Sequence, residues 1–184
     1  MLLSILSYIS RRINAINEWT GKATAWLTVV LMLVVCFDVF ARKIFNYSKV
    51  WVTDLEWHLF ALIFLLAAGY ALKHNRHVRV DLYYANYSAK DKALTDFWGT
   101  LLFLIPWCIV VIIYSFNYAW EAFQLKEGAS EPGGLPGRYI IKFCIPLGIL
   151  LLLLQAIALL ADAALVLTGR KELETQEEEP GESV

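Results

Sequence analysis

Four stretches of this chain are each long and apolar enough to cross a bilayer: about 23–44, 51–72, 97–120 and 139–167. That limits what it can fold into, because a spanning helix needs roughly 20 mostly apolar residues. Lipid offers backbone amides no partner, so each such stretch must satisfy its own hydrogen bonds as a helix. Spans and loops together use nearly all of the 184 residues, leaving no stretch for a second globular domain. The chain is 59% hydrophobic and only 18% charged. A soluble domain typically has about 45–50% apolar and about 25% charged residues. The expected fold class is an all-α membrane protein, with four transmembrane helices forming a domain over 22–168.

The spans differ in how they carry charge. The first is clean from Ala23 to Phe37 and then holds Asp38 and Arg42. The second has Asp54 and Glu56 in its opening turns. The third has no charge, and Pro106 inside it is expected to kink the helix by removing one backbone donor. The fourth is uncharged from Phe143 to Ala161, with Pro146 near its start, where proline is better tolerated.

Residues 1–21 read differently. Leu2, Leu3, Ile5, Leu6, Ile9, Ile13 and Ile16 recur at helical spacing, with Ser10, Arg11, Arg12, Asn14 and Asn17 largely between them. This pattern predicts a separate amphipathic helix lying in the membrane interface. A cleaved signal peptide fits less well, because its basic residues should precede the apolar stretch rather than follow it. Between the second and third spans, Ser88 followed by Asp91 marks a helix start. Between the third and fourth, Gly128–Gly137 holds four glycines and two prolines and reads as an irregular loop. Residues 169–184 form an acidic tail with too little apolar content to pack, expected to be disordered.

An even number of spans puts the two termini and the middle loop on one side. That side carries ten of the sixteen basic residues and the opposite side six. The bias predicts that both termini are cytoplasmic.

Few residues offer chemistry. Cys36, Cys108 and Cys144 fall in three different spans and form no C-x-x-C pair, so they read as buried apolar filler. Of His58, His74 and His77, only His58 lies within a span, and near its end, which argues against paired haem ligands. No phosphate loop, nucleotide fingerprint or zinc spacing is present. The expectation is therefore no enzymatic activity, no cofactor, no metal and no nucleic-acid partner. Charges within spans are costly and usually face protein or water. Asp38 and Arg42 lie four apart and can pair on one helix face, with Glu56 across a short loop. These three are the candidate structural or partner-contact charges. A docking role competes with a purely structural ion-pair cluster and with a proton site.

Several local patterns coincide. Arg42-Lys43-Ile44-Phe45-Asn46 closes the first span, followed by Ser48, Trp51 and Glu56. His77-Val78-Arg79-Val80-Asp81 follows the second span, and Ile145-Pro146-Leu147-Gly148 opens the last. In order and spacing, over about residues 20–165, they resemble the DctQ-type small membrane subunit of tripartite ATP-independent periplasmic (TRAP) transporters. The resemblance implies a scaffold subunit beside a large multi-span membrane subunit, which carries substrate and sodium. It also implies a periplasmic substrate-binding protein that docks on the complex, and organic acids as cargo. His77, Arg79 and Asp81 are the family-motif loop under this reading, and membrane lipids are the remaining partners. Two other classes stay open on the residues alone. One is a stand-alone proton-coupled exporter, the other a membrane anchor for a redox enzyme.

Overall fold

The computed structural model of the protein describes residues 2–75 and 87–169. His77, Arg79, Asp81 and the acidic tail lie outside the described residues. The elements are α1 (Leu2–Phe45), α2 (Val50–Lys73), α3 (Ala89–Gly99), a π-helical turn (Thr100–Leu104), α4 (Ile105–Gln124) and α5 (Tyr139–Leu167). Among the described residues there is no strand. Four helical runs are long and apolar enough to span a membrane: Ser7–Phe45, Val50–Lys73, Lys90–Gln124 and Tyr139–Leu167.

The expected interfacial helix is not there. Residues 2–21 continue without a break into the first span as part of the 44-residue α1. At 1.5 Å per residue α1 is about 66 Å long, about twice a bilayer's hydrocarbon thickness. Its polar side is also packed against another helix rather than turned to water. Ser10, Ile13, Asn17 and Thr24 are buried, whereas Tyr8, Ile9, Ile16 and Trp19 are exposed. The cause is a hydrogen-bonded ladder to α5. Asn17 Nδ2 donates to Gln155 Oε1 (3.0 Å) and Gln155 Nε2 donates to Asn14 Oδ1 (2.8 Å). Asn14 Nδ2 then donates to Ser10 Oγ (3.3 Å), and Ser10 Oγ to Asp162 Oδ1 (3.0 Å). Polar side chains at helical spacing thus hold α1 to α5. Such interhelical hydrogen bonds contribute on the order of 1 kcal/mol each in a bilayer.

Helix α5 is the central element and packs against α1, α2, α3 and α4. It supplies more buried residues than any other helix, among them Ile149, Leu152 and Ala156, which meet Leu72 of α2 and Cys108 of α4. Three glycines set how closely the helices approach. A Cβ on Gly148 would stand 2.7 Å from the Leu65 carbonyl oxygen of α2. One on Gly69 would stand 2.2 Å from Asn17 Oδ1, and one on Gly21 would fall 2.2 Å from the Tyr70 ring. Small residues at helix crossings are what membrane packing favours, since backbone proximity and dispersion replace the hydrophobic drive.

Ser88 caps α3 as its position implies, accepting from the Asp91 amide at 3.2 Å. Pro106 acts one turn earlier than the sequence suggests. The helix widens to π geometry over Thr100–Leu104, and the Ile105 amide donates five residues back to the Thr100 carbonyl. A proline supplies no amide to the preceding turn, so a wider turn there re-satisfies part of the ladder.

Candidate partner-contact site

The bundle has two chemically distinct ends. The loop end carries the connections at 46–49 and 125–138. The terminal end carries the start of α1, the end of α2 and the end of α5.

At the loop end the structure brings Asp38, Arg42 and Glu56 to one cavity. It measures about 420 Å3 and is also lined by Val35, Val39 and Lys43. Asp38 is buried, and the Arg42 guanidinium, more than half exposed, donates to its Oδ2. The i, i+4 spacing on α1 makes this pair. Glu56 reaches the same cavity from α2, two turns into that helix. Its Oε1 is buried and has no hydrogen-bond partner. The three charges therefore share a space, but a direct ion pair joins only Asp38 and Arg42. The cavity lies beside a broad apolar surface. Met32, Leu33, Phe37, Val39 and Phe40 of α1 are all more than half exposed, as are Phe60 and Phe64 of α2.

The Gly-Pro-rich loop has a defined path at the same end. Gly133 and Gly137 sit at φ +85° and +80°, a region that L side chains rarely adopt. The turn carries the Leu135 amide to Asp54 Oδ2 of α2 at 3.0 Å. Lys142 is buried rather than free in the loop. Its Nζ pairs with Glu127 Oε2 and lies 3.9 Å from the centre of the Tyr118 ring. Spacing alone did not reveal this cage, because Tyr118, Glu127 and Lys142 come from two helices and a loop.

The terminal end has its own ionic knot. Glu18 of α1 accepts from Lys73 Nζ (2.6 Å) and lies 3.0 Å from His74 Nε2, with Lys22 Nζ at 3.2 Å. It ties the end of α2 to α1 one residue beyond Asn17, the top of the ladder. The sequence signal for this end was Gln155, the one polar residue in an otherwise apolar run from Phe143 to Ala161. Among the described residues no group of His, Cys, Asp and Glu is arranged to hold a metal ion. The cysteines are free thiols, and Cys108 is fully buried in the α2–α4–α5 core.

No curated protein and no solved structure matches the chain. The family model for the DctQ component of tripartite ATP-independent periplasmic transporters matches residues 31–165. That range holds the charge cavity at the loop end, α2, the π turn and all but the last two residues of α5. It covers well over half of the chain and agrees with a helical bundle that has four spans. The protein belongs to the DctQ family and is a small membrane component of a TRAP transporter.

Proposed function

We propose that the chain is the scaffold subunit of a TRAP secondary transporter that takes up organic acids on a sodium gradient. It packs laterally against a large membrane subunit, and a periplasmic substrate-binding protein docks on the assembled pair. The family match over residues 31–165 carries this reading. Two features support it. The ladder's polar side chains bond to one another between α1 and α5, so they serve the bundle's own cohesion. The exposed apolar faces of α1 and α2 flank the charge cavity, as a lateral contact with another membrane protein would require.

Orientation follows from the basic residues. With ten on the terminal side and six on the loop side, both termini lie in the cytoplasm of a bacterial inner membrane. A reporter active only in the periplasm, fused after Lys126, is expected to give signal. A cytoplasm-active reporter giving signal there instead would reverse the assignment.

Asp38, Arg42 and Glu56 form the electrostatic part of the contact in this proposal. Removing Arg42 strands a buried carboxylate, which costs more than removing the pair together. Arg42 is more than half exposed, so water recovers part of that cost. Arg42→Ala is expected to reduce copurified large subunit about fivefold, on the order of 1 kcal/mol. The double variant Asp38→Ala/Arg42→Ala is expected to reduce it less. Equal or additive losses would show that the pair is not coupled at this contact. Glu56→Gln keeps shape and removes charge, and it should also lower recovery. Wild-type recovery with Glu56→Gln would remove that residue from the contact.

A further inference from the structure

A second cavity at the loop end, also about 420 Å3, lies between α2, the 125–138 loop and the start of α5. It is graded in polarity. Asp54, Ser130 and Arg138 stand toward the loop, whereas Trp57, Ala61 and Ile141 line it along the helices. Asp54 and Ala61 are two turns apart on α2, about 10 Å along its axis. The gradient thus runs in the direction in which a bilayer passes from headgroup to acyl chain.

The polar groups are oppositely charged, yet they do not close on each other. Asp54 Oδ2 accepts from the Leu135 amide, and its Oδ1 has no donor among the described residues. Arg138 Nη1 donates to Ser130 Oγ. A guanidinium carries five N–H donors, so four remain. His58, also in the lining, has Nδ1 at 2.5 Å from the Asp54 carbonyl oxygen. A carbonyl only accepts, so the proton is on Nδ1, and in the neutral ring Nε2 is an acceptor. The site offers two hydrogen-bond acceptors, the Asp54 carboxylate Oδ1 and His58 Nε2 of the neutral ring, and a cationic donor fork, Arg138. Trp57, 67% exposed, borders the apolar part and leaves it open to the membrane.

We infer that this cavity binds a zwitterionic aminophospholipid of the phosphatidylethanolamine type from the adjoining leaflet. The phosphate takes the free N–H groups of Arg138, whose planar fork suits two phosphate oxygens. The primary ammonium donates to Asp54 Oδ1 and His58 Nε2. One acyl chain runs along Ala61 and Trp57. A purely anionic headgroup would satisfy Arg138 but meet the Asp54 carboxylate. A quaternary choline headgroup would satisfy charge but supply no N–H donor.

The test is native mass spectrometry of the full-length chain, purified in a mild detergent. It is offered phosphatidylethanolamine, phosphatidylcholine and phosphatidylglycerol in equal amounts. The ethanolamine lipid should be retained about tenfold over the other two, the worth of one charge-assisted contact. Arg138→Gln should lower its retention by about the same factor. Asp54→Asn keeps an oxygen acceptor for the Leu135 amide, and it should abolish the preference for ethanolamine over choline. Ala61→Phe fills the apolar part without touching a polar group and should also release the lipid. Equal retention of all three lipids by the wild-type chain would overturn the inference. So would a preference that survives Asp54→Asn in a chain that still elutes as a single species. If Asp54→Asn does not fold, the wild-type lipid series and Ala61→Phe decide. Soluble glycerophosphoethanolamine displacing the lipid at equal concentration would show that the apolar part plays no role, which also overturns a lipid site. None of these readouts depends on the transporter reading.

Discussion

Gly148→Ala is expected to destabilise the bundle by about 1–3 kcal/mol, the usual cost of forcing one extra carbon into a packed contact. The new Cβ would stand 2.7 Å from the Leu65 carbonyl oxygen and 2.9 Å from the Leu65 Cβ. The first of these is backbone and cannot rotate away. Helices α2 and α5 would have to separate, and α5 is the element against which every other helix packs. Opening that crossing would also loosen the core of Leu72, Ile149 and Leu152. Gly99→Ala is the internal control. Nothing lies within 4 Å of a Cβ there, and the residue is helical. Alanine is the better helix former by about 1 kcal/mol, so this variant should be neutral or slightly more stable. Thermal unfolding of both variants in detergent checks the pair. Equal midpoints for Gly148→Ala and wild type would mean that the α2–α5 crossing is not tight.

The contrast between Gly148 and Gly99 shows where the sequence was readable. The four spans follow from length and composition, because the hydrocarbon thickness sets the length of any helix that crosses it. Ser88 with Asp91 shows the start of α3, since a cap is a local device within four residues. Asp38 with Arg42 was legible for the same reason, both partners being on one helix. Glycine alone does not say whether another helix lies against it. Gly148 and Gly99 look alike until α2 is in place.

The start of α1 was misread for an instructive reason. Its pattern shows that one face differs from the other, which is true. It does not show which face is buried. A helix lying in the interface would turn its apolar face to lipid and leave Ser10, Asn14 and Asn17 to water. Within a membrane bundle the apolar face can meet lipid and the polar face a partner helix. Gln155 is that partner, 138 residues away from Asn17. Its presence in a run of leucines was the available signal. Lys142 was counted as an ordinary loop-side cation, and only the three-dimensional position of Tyr118 and Glu127 shows its cage. The second cavity was equally hidden, because it depends on the path that Gly133 and Gly137 give the loop over Asp54.

Transport should depend wholly on the partner subunit. Under the proposed scaffold role the chain carries no flux alone, so the expected effect is the complete presence or absence of flux. The ladder residues of α1 and α5 bond to one another, and α1, α2 and α5 are each an unbroken helix. Carriers place discontinuous helices around a midplane site. The deciding measurement is sodium-driven uptake of organic acids into liposomes. One set contains the purified chain alone. The other contains the chain with the large membrane subunit, and the periplasmic binding protein is supplied outside both. No uptake above the empty-liposome level is expected in the first set and sodium-dependent uptake in the second. Sodium-dependent uptake by the chain alone would contradict the scaffold role.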